Sequence, residues 1–92
     1  MTDQPADTPA DAIDITDERC PMTFVRTKLA LGKIAPGEVL AVRLLGAEPL
    51  ENVPANAKRL GHDILELVPE DPAHADAEAP HRLLIRKKKK PA

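Results

Sequence analysis

The one soft nucleophile in this chain is Cys20, and Pro21 follows it directly. Proline has a preset φ and no N–H, so it suits the first position of a helix and makes Cys20 the expected N-cap. A thiolate placed there faces backbone N–H groups that lack intrahelical partners, at the positive end of the helix dipole. Both effects lower a thiol's pKa. Arg19 adds a positive charge beside it, while Asp17 and Glu18 oppose that charge. A cysteine so placed suits nucleophilic attack or the holding of a persulfide. The plainer alternative is a small apolar side chain that fills space, since free cysteine is among the most buried residue types.

Other chemistry is sparse. His62, His74 and His81 match no compact zinc spacing with Cys20, so no metal site is expected, and each reads as a satisfied surface imidazole. No Cys–His–Asp constellation stands out, and no cofactor motif is present. Arg86 to Lys90 is a basic run that could steer an acidic partner or the phosphates of an RNA. The simpler reading is a solvated tail that also blocks strand pairing, since no aromatic neighbour offers a base-stacking platform. The acidic stretch of Glu70, Asp71, Asp76 and Glu78 could fold back on it, to little effect.

Several classes are excluded by composition. Ninety-two residues allow one small domain. A net charge of −2 argues against a general nucleic-acid binder, except through the basic tail. One cysteine cannot form an internal disulfide, which favours a reducing compartment. No apolar run has the length of a membrane span, and residues 1–7 lack the basic and apolar regions of a secretory signal. The expected address is the cytoplasm.

The elements that must position Cys20 follow from hydropathy period and punctuation. Residues 1–11 have nothing to bury and read as a disordered tail. Residues 12–16 alternate as a strand. A helix is predicted over 21–31, with Met22, Val25 and Leu29 as its core stripe, Phe24, Lys28 and Leu31 beside it, and Gly32 as its stop. Pro36-Gly37 has the order of a type II turn, leading into a strand over 38–45. Pro49 opens a second helix reaching Leu60, with Leu50, Val53, Ala57 and Leu60 inward and a kink or broken first turn at Pro54. A third strand spans 62–68 with Leu65 and Leu67 buried, a mobile connection spans 69–80, and a fourth strand spans 81–86. The pattern βαβαββ predicts an α/β (α+β) two-layer sandwich with two helices on one face of a four-stranded sheet.

The stretch Ile13-Asp14-Ile15 followed by Cys20-Pro21 resembles the opening strand and Cys-Pro motif of the TusA/SirA-like sulfur-carrier family. Lys33 to Leu40 is similar to that family's helix–turn–strand joint. Val53-Pro54-Ala55 with Gly61-His62 resembles its second helix and the step into the third strand. Leu84 to Lys87 resembles its last strand. The likeness covers residues 12–88, leaving 89–92 as a basic C-terminal tail. It implies a mixed sheet whose last strand runs antiparallel to the others.

The resemblance further implies a sulfur carrier that accepts sulfur as a persulfide on Cys20 and relays it to an acceptor protein. It implies a cysteine desulfurase or another sulfurtransferase as donor, covalent carriage rather than a self-contained enzyme, and no cofactor. The family motif is Cys-Pro-x-Pro, whereas this chain reads Cys20-Pro21-Met22-Thr23. Thr23 restores an N–H that the second proline would delete, and that donor can point at the N-cap side chain. Pro21, Thr23 and Arg19 are therefore the expected supports of Cys20. Met22, Phe24 and Arg26 are expected at partner docking, although Phe24, the lone aromatic, also suits the core. The alternative function is a non-covalent protein- or RNA-binding regulatory module in which Cys20 is structural.

Overall fold

Six elements follow one another as the periodicity requires: β1 (Pro9–Asp14), α1 (Met22–Lys33), β2 (Val39–Leu44), α2 (Ala47–Arg59), β3 (Asp63–Pro69) and β4 (His81–Arg86). They belong to a computed structural model that describes residues 9–19 and 21–88. The strands form one sheet in the order β1-β2-β4-β3. β1 pairs parallel with β2, and β4 pairs antiparallel with both β2 and β3. The expected α+β sandwich with an antiparallel last strand is the fold observed.

One face of the sheet carries the core. Ile15, Leu40, Val42, Leu44, Leu83 and Ile85 meet Ala30, Leu31 and Ile34 from α1 and Val53 and Ala57 from α2. The other face is more polar. Arg43 lies opposite Arg82 there, and such like-charge pairs are unfavourable. Asp14 and Glu70 offset it, accepting hydrogen bonds from the Arg43 guanidinium at 3.1 and 2.8 Å.

The turn into β2 forms as its residues dictate. Gly37 has φ +87°, and the Glu38 amide donates to the Ala35 carbonyl at 3.0 Å across Pro36-Gly37. Other expectations need correction. β1 begins at Pro9, so residues 9–11 are strand rather than tail; β1's pairing with β2 orders them. Residues 1–8 and 89–92 lie outside the described residues.

α1 continues through Gly32 to Lys33 before Ile34 turns extended. α2 begins at Ala47, which puts Pro49 at its third position, where a missing N–H costs nothing. The helix also runs unbroken through Pro54, because Val53 and Ala57 on either side are fully buried and hold that turn to the core. Leu65 and Leu67 are exposed, not buried. β3 is an edge strand, and its pairing with β4 jumps between Ile64 and Glu66, a bulge at Leu65 that leaves Ile64 as the side chain packed inward.

The connection over 69–80 is tied down at several points rather than loose. Ala79 is buried, the Gly46 amide donates to the Ala77 carbonyl at 2.6 Å, and the Glu70 amide donates to the Pro80 carbonyl at 3.1 Å.

Candidate functional site

The start of α1 is built by backbone alone. The Met22 amide donates to the Arg19 carbonyl at 2.7 Å, closing a turn, and the Val25 amide donates to the Pro21 carbonyl at 3.1 Å as the first helical bond. The N-cap is Pro21, with φ −90° and ψ 2°, one residue later than expected. Pro21's own torsions account for the shift: its φ is compatible with the helix, but at ψ 2° it stands outside the helical well. Cys20 itself lies outside the described residues, between two described neighbours.

Two consequences follow for charge at this end. Pro21 has no polar side chain, so among the described residues no side-chain cap bond closes the helix, and its first turn holds no acidic residue. The positive end of the dipole is therefore left uncompensated by the helix itself. Glu18, the nearest half-buried carboxylate in the sequence, is paired with the Arg26 guanidinium. Arg19 is exposed.

The residues expected to support or dock are distributed unevenly. Thr23 is buried, as is Thr27, whose hydroxyl donates to the Thr23 carbonyl at 2.8 Å. Phe24 is partly buried and packs against the core. Arg26 stands exposed on the flank of the helix, held by Glu18. Met22 is exposed, which contradicts its place in a core stripe. Val25 and Leu29 depart further from expectation: they are 38% and 61% exposed. The sequence reading missed this because it counted apolar types and discounted threonine. The signal lay in Thr23 and Thr27, four apart, each able to return its hydroxyl to a carbonyl one turn back and so enter a core.

The far end of α1 is closed by a residue also read otherwise. The Lys87 ammonium donates to the Ile34 carbonyl at 2.8 Å, a cation on the negative end of the helix. The first lysine of the basic run is thus part of the fold. The Lys88 amide donates to His62 Nδ1 at 3.0 Å. Burial, helped by the charges of Lys88 and Lys87, holds the His62 pKa below its ordinary value, against a smaller opposing pull from Asp63.

His81 is buried rather than on the surface, with Nδ1 2.8 Å from the Ala79 carbonyl; its place on β4, one of the two inner strands, puts it there. His74 is exposed and pairs with Asp71. Among the described residues, no three His, Cys, Asp or Glu side chains cluster as a metal site would need. Nor is any described helix long and apolar enough to cross a membrane.

The comparisons with known proteins agree on one direction. A family model described as "Sulfurtransferase TusA" matches residues 11–87. A Thermotoga maritima protein named "putative sulfur carrier protein" is 40% identical over 55 residues, covering 60% of this chain and 70% of that protein. One of the same name from Archaeoglobus fulgidus is 35% identical over 57 residues, 62% of this chain and 65% of its own length. The Bacillus subtilis protein YrkI, also named "putative sulfur carrier protein", is 34% identical over 58 residues, 63% and 77%. Among solved structures, a SirA-like protein from Desulfitobacterium hafniense superposes with a TM-score of 0.69 at 20% identity, covering 86% of this chain and 99% of that one. At that identity the last likeness speaks for the fold.

Proposed function

The chain belongs to the sulfurtransferase TusA family, and on that premise we propose that it is a sulfur carrier, accepting sulfur as a persulfide on Cys20 and relaying it to an acceptor protein. The observation that carries this reading is the lone thiol's position in the sequence, immediately before the N-cap of a helix that has no side-chain cap and no acidic first turn. A thiol at such a position in the sequence is favoured as the thiolate. The names of the relatives support the same role.

The transfer needs no metal, no resident base and no redox partner. The Cys20 thiolate attacks the outer sulfur of a donor's cysteine persulfide. A bond forms from Cys20 Sγ to that sulfur as the donor's S–S bond breaks, and the donor cysteine leaves as a thiolate. The outer sulfur keeps its proton throughout, so atoms and electrons balance. Delivery is the same step with an acceptor thiolate as attacker. The donor class is a cysteine desulfurase or another sulfurtransferase, and a lone unpaired cysteine suits work in the reducing cytoplasm.

The supporting residues keep distinct parts. Pro21 sets the helix start, Thr23 anchors the first turn in the core, and exposed Arg19 adds positive potential. RNA binding through the basic run has less behind it, since the Lys87 ammonium is already bound to the Ile34 carbonyl.

Intact-mass spectrometry after incubation with a cysteine desulfurase and free cysteine tests the proposal. One added sulfur atom is expected on the native chain and none on Cys20→Ser. A Cys20 that resists alkylation in the folded protein, or an adduct that persists in Cys20→Ser, overturns it.

A further inference from the structure

Lys87 and Lys88 are neighbours in the sequence but are held in different ways. The Lys87 amide donates to the Glu38 carbonyl at 2.8 Å, its carbonyl accepts from the Gly37 amide at 2.9 Å, and its ammonium lies on the Ile34 carbonyl. None of those partners changes its hydrogen bonding with pH. Lys88 is exposed and has one hydrogen bond among the described residues. Its acceptor is a ring nitrogen, His62 Nδ1, 3.0 Å from the Lys88 amide.

The turn between α2 and β3 places that acceptor. The His62 amide donates to the Ala57 carbonyl at 3.0 Å, which pins the residue to the end of α2. Gly61 before it has φ +96°, and a Cβ there would stand 3.1 Å from Lys88 Cδ. Glycine thus makes the turn and also lets the stem of Lys88 lie against it.

A ring nitrogen accepts only while it keeps its lone pair. A backbone N–H can only donate, so the bond fixes Nδ1 as the bare atom and leaves the proton of the neutral ring on Nε2. A proton added to Nδ1 would set donor against donor. Nearby charges push the same way: Lys87 and Lys88 follow β4, and the last turn of α2 adds Lys58 and Arg59. Asp63 on β3 opposes them, but it lies across the ladder from Arg86.

We propose that His62 is a pH-operated latch: the neutral ring holds Lys88 on the α2–β3 turn, and the imidazolium releases it while Lys87 stays in place. The basic run continues in the sequence as Lys89 and Lys90, so the latch acts where that run leaves the domain. It lies at the carboxyl end of α1, whereas Cys20 precedes the amino end, and it stands whether or not Cys20 carries sulfur. The latched ring resists protonation, so release belongs below the ordinary histidine value of 6.5. By linkage, whatever draws Lys88 off the ring raises the proton affinity of His62 in the same measure.

Amide exchange in the full chain tests the latch, read by NMR from about pH 8 to about pH 5 and taken relative to the intrinsic rate at each pH. The protection of Lys88 should fall about three- to tenfold, with its midpoint at the titration of the His62 ring, while that of Lys87 stays constant. His62→Ala should show the low value throughout. His62→Asn, whose side-chain oxygen accepts without titrating, should show no step. Equal protection of Lys88 at both ends of the range overturns the proposal, as does a midpoint away from that of His62 or a step that survives in His62→Asn. Loss of Lys87 protection together with that of Lys88 also overturns it, because the end of the strand would then be fraying as a whole.

Discussion

Truncating Leu29 to alanine separates two orientations of α1 by a wide margin. Were Leu29 a core residue, the substitution would cost about 2–5 kcal/mol. At 61% exposure it hides only about two-fifths of its surface. Full burial of a leucine is worth about 1.5–3 kcal/mol, so the expected loss is below about 1 kcal/mol. Thr27 reverses the comparison, since it is fully buried with its hydroxyl on the Thr23 carbonyl. Thr27→Asp would place an unpaired carboxylate there and should cost ~3 kcal/mol or more. Thr27→Val keeps the shape, and the carbonyl retains its helical bond, so it should lie within about 1 kcal/mol of the native chain. With no Trp or Tyr to report unfolding, urea and thermal melts followed by circular dichroism are the assay. About 4–8 °C of midpoint per kcal/mol makes these differences legible in a domain of this size. A loss above 2 kcal/mol for Leu29→Ala, or an unperturbed Thr27→Asp, would refute the orientation of α1.

Three further outcomes are expected. Lys87→Met removes a charged hydrogen bond from the end of α1 and should cost about 1–2 kcal/mol, with faster amide exchange in the last turn of α1 than in α2; equal protection in both would argue against the cap. The Asp14 carboxyl is held below its ordinary value of 3.8 chiefly by the Thr16 hydroxyl, then by the Thr16 amide, with burial opposing and Arg43 assisting less. Thr16→Val should therefore raise the Asp14 pKa, read by NMR, more than Arg43→Gln does, and the reverse order would contradict the geometry. Because the folded value is depressed, this contribution is full above the unfolded carboxylate pKa and is lost as pH falls through the folded one. His62, lowered by burial and by Lys88 and Lys87, should titrate below 6.5 and be neutral at pH 7; its contribution is complete above 6.5 and fades as pH drops through the folded value. Lys88→Ala should raise that pKa, and a His62 that titrates at or above 6.5 in the native chain would refute the assignment.

Most of the fold could be read from punctuation. Pro36-Gly37 demanded a type II turn and forms one, and the apolar run through Val39 to Leu44 lies on an inner strand of the sheet. The segments 81–86 and 39–44 are nearly as read, because both sit inside the sheet, where pairing fixes their ends. What failed depended on tertiary contact. β3 looked like a buried alternating strand, but a bulge at Leu65 and its place at the sheet edge expose Leu65 and Leu67. The rotation of α1 was misread because a threonine that satisfies its own hydroxyl can be buried as readily as valine. Lys87 looked like tail, since nothing local in sequence relates it to a carbonyl 53 residues away. At the candidate site, the residues after Cys20 were recognisable by type, while the side each one faces was not.

The position of β4 between β2 and β3 carries a consequence for synthesis. Translated in order, the first 80 residues contain three strands, yet β3 has no neighbour until residues 81–86 leave the ribosome. The sheet therefore cannot be completed progressively from the amino end. The domain must instead close in one late event, and a ribosome pausing before that segment would leave half the sheet without its central strand.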